Sequence, residues 1–330
     1  MEQQYIGIDL HKASFHACAV GKDGQRFWEA VFPRTPEGLA AFAARQIAGA
    51  RLVVEATGPT WRFVDAVETF GVTVCVVDAR KTKLKAGFAA KTDRLDARRL
   101  ADALRRDSVT SVYIPPPLIR ELRELTRGRQ QVVRLRTRVV QAIRALLLRQ
   151  DVAEPPVRTL TSRRGLAWLS TVQLGPSSDA TLRRLERLLH TLHIEAKAAD
   201  TAVRAAAADD RIVRALTRLA GVGPVLGLVL RAEIGAIGRF PRGAALACYA
   251  GIVPDVHASG ATYRSGAITR AGSPWLRWAL VEVAMKAMQQ PDPFGRWARR
   301  LAIRKGIKCA RVALARRLCD QIVREWKQVE

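Results

Sequence analysis

The sequence has no Cys-x-x-Cys pair, no apolar run of 18 residues and little negative charge. Each shortage closes off a class of protein. Unpaired cysteines exclude a zinc ribbon or a dithiol redox motif. The five present (Cys18, Cys75, Cys248, Cys309 and Cys319) are an odd number in apolar surroundings and read as reduced core thiols. The lack of a long apolar run excludes a membrane-spanning helix, and the opening MEQQYIGIDL enters a strand at once instead of reading as a signal peptide. A cytoplasmic protein with no membrane partner is therefore expected. Histidine is scarce too. The one metal-like spacing, His190 and His193, falls on a Leu-rich amphipathic stretch without further ligands, so a solvated helix face is expected there. What the chain has instead is positive charge: 55 Lys plus Arg against 30 Asp plus Glu, a net of +25, which makes a polyanion the expected partner. At 330 residues and 48% apolar content it can fold a sizeable core in more than one domain.

The first hundred residues alternate in a readable order. QYIGIDL, FHACAV and RFWEAVF are short β-rich runs, the second and third joined by the hairpin signal GKDG. An Ala-rich helix (about 36 to 48), a strand RLVVEAT, a helix from Pro59 to about Phe70, a strand VTVCVV and further helices follow. Three turn-linked strands followed by alternating helix and strand is the element order of the ribonuclease H-like fold.

That order gives meaning to the acids. KTDRLDARRLADALRR sets Asp93 and Asp96 three positions apart in a basic run. Helical salt bridging, Asp96 to Arg99, is one reading; shared metal ligation from one helix face is the other. Asp9 falls near the middle of the first strand and Glu55 at the carboxyl end of the fourth, which are neighbours in such a sheet. Acids inside runs such as YIGID and LVVEA are costly to bury unless paired or holding a cation, so four carboxylates around one space favour a metal. GIDL also opens actin-like ATPases and sugar kinases. Here His11 and Lys12 occupy the hairpin where glycine would approach phosphate, and no second Gly-rich loop follows.

A proline stop then leads into a long helix, about 118 to 150, with nine arginines against two glutamates and an apolar stripe through Leu122, Leu125, Val132, Val133, Val139 and Ile143. A loop-rich stretch, about 151 to 178, separates it from a second long helix, about 179 to 208, with leucines at 182, 185, 188, 189 and 192. The two could form an intramolecular hairpin or a coiled-coil dimer. Further on, Gly221-Val222-Gly223 lies between helical patterns as in helix-hairpin-helix modules, where such a turn offers N–H groups to phosphate. HASGATYRSGAITRAGSPWLRWAL is rich in small residues that admit close approach, and Arg264, Arg270 and Arg277 could pair with phosphate oxygens. Ser259, Ser265 and Ser273 are all candidate hydroxyl nucleophiles there, and spacing does not rank them.

Taken in order, YIGIDLHK, VVEATGP, KTDRLDARRLA, LAGVGP, CYAGIVP and SGATYRSGAITRAGSPWLR resemble the DEDD transposases of bacterial insertion sequences, whose members include bridge-RNA-guided recombinases. The resemblance covers roughly 4 to 107 and 212 to 320. It implies a RuvC-like domain over 1–112, a helical coiled-coil connector over 113–210 and a C-terminal transposase domain over 211–330. It carries the family's four acids onto Asp9, Glu55, Asp93 and Asp96, binding Mg2+ or Mn2+, and its serine onto Ser259, which precedes glycine after AGIVP. Acids and serine fall in different domains, so a composite site would have to close within one subunit or between two. The resemblance further implies double-stranded DNA at element ends and target, a structured guide RNA, a homo-oligomer assembling from dimer to tetramer, and a bacterial, nucleoid-associated setting. A water-using nuclease or junction resolvase would need the acids without Ser259; a non-catalytic binder would need neither.

Overall fold

A computed structural model describes residues 2–78, 93–153, 155–259 and 262–330, with the side chains at 256–259 and 262–265 left out of the description. The chain divides into two compact units, Met1–Ile114 and Pro115–Glu330.

In the first unit the strands are β1 (Tyr5–Leu10), β2 (Ser14–Val20), β3 (Arg26–Pro33), β4 (Arg51–Glu55) and β5 (Thr73–Val77). The helices are α1 (Pro36–Ala43), α2 (Thr60–Glu68) and α3 (Asp93–Arg105). Sheet order is β3-β2-β1-β4-β5, with β1–β3 a meander and β4 and β5 parallel to β1. The chain order of the strands and the adjacency of β1 and β4 are as read from the sequence. Side chains alternate across the pleat. Ile6, Ile8, Phe15, Phe32, Leu52 and Val54 pack with Phe42 of α1 and with Phe63 and Val67 of α2 on one face. On the other, Cys18 and Val20 meet Ala97 and Ala101 of α3, and Val53 and Val77 meet Leu100 and Leu104. α3 can lie this close because β1 offers it a glycine: a Cβ on Gly7 would stand 1.9 Å from the Ala97 carbonyl oxygen.

The second unit is helical. Its elements are α4 (Pro117–Arg149), α5 (Arg163–Thr171), α6 (Pro176–Asp209), α7 (Arg211–Leu216), α8 (Pro224–Ile234) and α9 (Gly243–Tyr249). A two-stranded hairpin of β6 (Pro254–Ser259) and β7 (Thr262–Ile268) follows, then α10 (Pro274–Ala287), α11 (Pro293–Lys305) and α12 (Ile307–Lys327). Proline at the first helical position recurs in α4, α6, α8, α10 and α11, where its missing N–H costs nothing and its fixed φ suits the helix.

α4 and α6 pack on each other within the chain. Ile143 and Leu147 share a cluster with Leu182 and Leu189, and Ile119 and Leu122 share one with Val203 and Ala207, so the pair runs antiparallel. The stretch 151–178, expected to be loop-rich, holds α5, whose Leu169 seals the cluster at that end; Ser162 caps its first turn. The thiols are all free. Only Cys18 and Cys319 are core residues, with burial pushing them up to about 11 and about 12, whereas Cys248 and Cys309 are exposed. Among the described residues no helix is long and apolar enough to cross a membrane.

Candidate metal centre and serine hairpin

The acids of the first unit gather at the carboxyl ends of β1 and β4. Asp9 is the penultimate residue of β1, nearer its end than its middle. Ile8 pairs with Val54, so one step on Asp9 and Glu55 lie on the same face of adjacent strands. Glu55 is the last residue of β4, and its carbonyl accepts the hydroxyl of buried Thr60 at 2.8 Å, which fixes the turn into α2. That face is the one α3 covers, and α3 brings Asp93 and Asp96 to the same end.

Burial, only partly offset by His11 and His16, raises the carboxyl of Asp9 above its ordinary value, and the neighbouring charges of Asp93 and Asp96 push it the same way. Donor atoms of Asp9, His11 and Asp93 lie within 4.8 Å of one another, a group able to hold a metal ion. Carboxylates that repel one another suit a hard divalent cation, which would relieve that repulsion. Asp96 also reaches Arg99 at 3.4 Å, so the simpler salt bridge exists beside the acid cluster.

His11, read from sequence only as a residue in place of a phosphate-loop glycine, and His16, Glu29, Arg94 and Arg26, not singled out there, support this end of the sheet. His11 lies 3.4 Å from Asp9 and 3.1 Å from Asp93. His16, paired with Asp9 across β1 and β2, contacts Glu29 at 3.0 Å. Glu29 in turn holds Arg94 of α3 at 2.7 Å and Arg26 at 2.8 Å. Burial raises the Glu29 carboxyl, but the bonds from His16, Arg94 and Arg26 outweigh it and leave it below its usual range. An ion pair thus ties the amino-terminal turn of α3 to β3. The signal was present: Glu29 in RFWEAVF is an acid in an apolar strand, as Asp9 is, and His11 follows Asp9 by two.

In the second unit Ser259 ends β6 and pairs with Thr262, putting it at the tip of the hairpin; residues 260 and 261 lie outside the described set. The side chains of Ser259, Arg264 and Ser265 are also outside the description. The hairpin's base is held by backbone bonds, Thr269 N–H to Val253 and Arg270 N–H to Gly251, at 3.0 and 3.1 Å. Arg270 is exposed, with φ of 53°; Arg277 donates to the Ala250 carbonyl at 3.1 Å.

Ser273 is different. It caps α10 by accepting the Leu276 N–H, and it donates at 2.8 Å to Glu233, a carboxylate 1% exposed and gripped by Arg127 at 2.8 and 3.0 Å. That hydroxyl is committed to structure.

The two glycines of the α7–α8 turn also separate. A Cβ on Gly221 would meet the Val283 carbonyl of α10 at 2.5 Å, so this glycine serves helix packing. Gly223 has open space at its Cβ and lines, with Arg129, Arg204 and Lys286, a cavity of about 370 Å³ at the start of α8. Of α4's arginines, Arg123 binds backbone carbonyls of α8, Arg127 binds Glu233 and Arg129 binds Asp200, whereas Arg138 and Arg149 are exposed.

Comparison with known proteins bears on both units. A family model for DEDD transposases of IS110 type, described as Transposase, matches residues 6–150, and a second, described as Transposase IS116/IS110/IS902 family, matches 213–298. Among similar proteins, "Putative transposase y4qE" of Sinorhizobium fredii is 29% identical over 86% of this chain and 71% of its own length. "Probable family 20 transposase" of Pseudomonas aeruginosa is 25% identical over 96% of this chain and 94% of its own. "Transposase for insertion sequence element IS1111A" of Coxiella burnetii is 26% identical over 94% and 86%. With the acid-bearing unit and the serine hairpin matched in order by two models of one family, the chain belongs to the IS110-type DEDD transposases, DNA-moving enzymes of bacterial insertion sequences.

Proposed function

We propose that this transposase cuts and rejoins DNA through a phosphoserine intermediate on Ser259, with Asp9, Glu55, Asp93 and Asp96 holding a divalent cation, Mg2+ or Mn2+. What supports the reading is Asp9 near the end of β1, raised by burial and by Asp93 and Asp96 of α3, grouped with His11 and Asp93 as possible metal donors, and with Glu55 ending the neighbouring strand β4. The cation, when bound, supplies Lewis-acid polarisation of the scissile phosphate. Ser259 Oγ forms a P–O ester bond as the bond to the departing sugar oxygen breaks, and its proton ends on that oxygen. One phosphodiester replaces another, so the energy for rejoining is conserved.

Gly223 with the cavity basics, and Arg264, Arg270 and Arg277 around the hairpin, contact phosphates; Gly221 acts through packing. A net charge of +25 supports backbone-dominated binding of duplex DNA, with target choice delegated to pairing by a structured RNA and the protein working as a dimer that assembles to a tetramer. Denaturing-gel capture of a covalent protein–DNA adduct tests the core of this. Ser259→Ala is expected to lose adduct and recombination while still binding metal, and Ser265→Ala to have a milder effect. Cleavage by Ser259→Ala at the wild-type rate would make water the nucleophile and the protein a RuvC-like nuclease.

A further inference from the structure

We infer that His11 is a nitrogen ligand of the same metal centre, an addition to the four acids that rests on the metal-binding reading above. His11 is the first residue after β1, and strand alternation puts it on the side of Asp9, two residues before. Its backbone is pinned on both sides: the N–H donates to Ser14 at 2.9 Å and the carbonyl accepts from Arg34 at 3.1 Å. The imidazole is therefore presented from a fixed point.

Its Nε2 lies 3.4 Å from Asp9 Oδ2 and 3.1 Å from Asp93 Oδ2. Adjacent ligands of a six-coordinate ion with bonds of about 2.1–2.3 Å are roughly 3.0–3.3 Å apart. The spacing to Asp93 therefore matches neighbouring corners of one coordination shell, and that to Asp9 exceeds it by about 0.1 Å. The ring is 45% exposed, open enough for an ion to enter from solvent. A nitrogen donor among carboxylates shifts preference along the transition series, making the centre favour Mn2+ over Mg2+ more than an all-oxygen site would. The competing role for the same geometry is a protonated imidazole that bridges the two carboxylates and keeps the ion out. The two roles predict opposite effects of removing the ring.

The test uses Mn2+ alone with the full chain and no nucleic acid. Electron paramagnetic resonance counts bound Mn2+, and electron spin-echo modulation reports a directly bonded 14N. Wild-type protein is expected to bind Mn2+ with 14N modulation. In His11→Gln the modulation disappears and Mn2+ affinity falls at least about tenfold, while His16→Gln keeps the modulation. Bound Mn2+ without 14N modulation in the wild type overturns the assignment of His11 and leaves the acid centre standing; that readout depends on no variant folding. Retained modulation in His11→Gln, or a rise in its Mn2+ affinity, also overturns it, the second outcome identifying the ring as a placeholder. Failure of wild-type protein to bind Mn2+ at all defeats the metal centre itself.

Discussion

Asp9 and Glu233 are carboxylates set in apolar runs, YIGID and RAEIG, and the two compact units treat them in opposite ways. Glu233 is sealed, with both oxygens bonded to Arg127 and one also to Ser273, a charge removed from water only because its hydrogen-bonding capacity is met by cationic and hydroxyl donors. Asp9 is a quarter exposed, and what faces it is more negative charge together with His11 and His16. One arrangement is closed by cationic and hydroxyl donors; the other stays partly open to solvent with like charges beside it. An acid in an apolar segment therefore signals function only after its partners have been counted.

The largest effect that would break this contrast is on chemistry. Asp9→Asn is expected to lower strand cleavage on the order of 10³-fold or more, the scale of losing a group that serves transition-state charge. It should also make the metal-free fold more stable by about 1 kcal/mol or less, as relief of a strained functional site does. The sign follows from the raised Asp9: its ionisation disfavours the fold, so metal-free stability falls as pH rises through the carboxylate range. Saturating metal reverses the slope. At about a hundredfold over Kd it adds roughly 2.7 kcal/mol, a gain lost as pH falls and the acids protonate. Melting curves with and without Mg2+ at pH 5 and 8 check both. If Asp9→Asn destabilises the metal-free protein, Asp9 resembles Glu233 after all.

Next comes the sealed pair. Arg127→Met strands a buried carboxylate and is expected to cost about 3–5 kcal/mol, read as a lower urea midpoint. Mn2+ binding should be unchanged, since the substitution leaves the first unit intact. Ser273→Ala sharpens the point for hydroxyls. It removes a helix cap and one bond to Glu233, costing about 1–2 kcal/mol, yet the adduct on Ser259 should form at equal yield in the folded fraction. Adduct loss in Ser273→Ala at full stability would move the nucleophile. The smallest effect is electrostatic: Arg138→Gln and Arg149→Gln should each flatten the slope of log affinity against log salt by about 1 without changing target choice. Arg129→Gln, already paired to Asp200, should flatten it less.

Strand periodicity and the GKDG turn were enough to order the first unit, because a period-2 apolar pattern and a tight hairpin are local signals that nothing distant overrides. The strand positions of Asp9 and Glu55 were legible for the same reason: three turn-linked strands and a parallel fourth make β1 and β4 neighbours. Proline marked the start of α4 in the same way, whereas α6 begins at Pro176, three residues before the start read from its leucines. α5 escaped notice because nine residues, about two and a half turns, carry too short a period to stand out from a loop.

What the chain could not disclose in one dimension is how its abundant charges are divided. Nine arginines on α4 look alike in sequence, yet Arg127 is tied to a residue 106 positions away and Arg129 to one 71 positions away, while Arg138 faces solvent. Gly221 and Gly223 look alike, yet one admits the backbone of α10 and the other opens on a basic cavity. Ser273 and Ser259 look alike, yet one is spent as a cap. Local pattern determined the elements and the acids' strand positions; only tertiary contact decided which polar groups are satisfied, because satisfaction depends on neighbours brought from far along the chain.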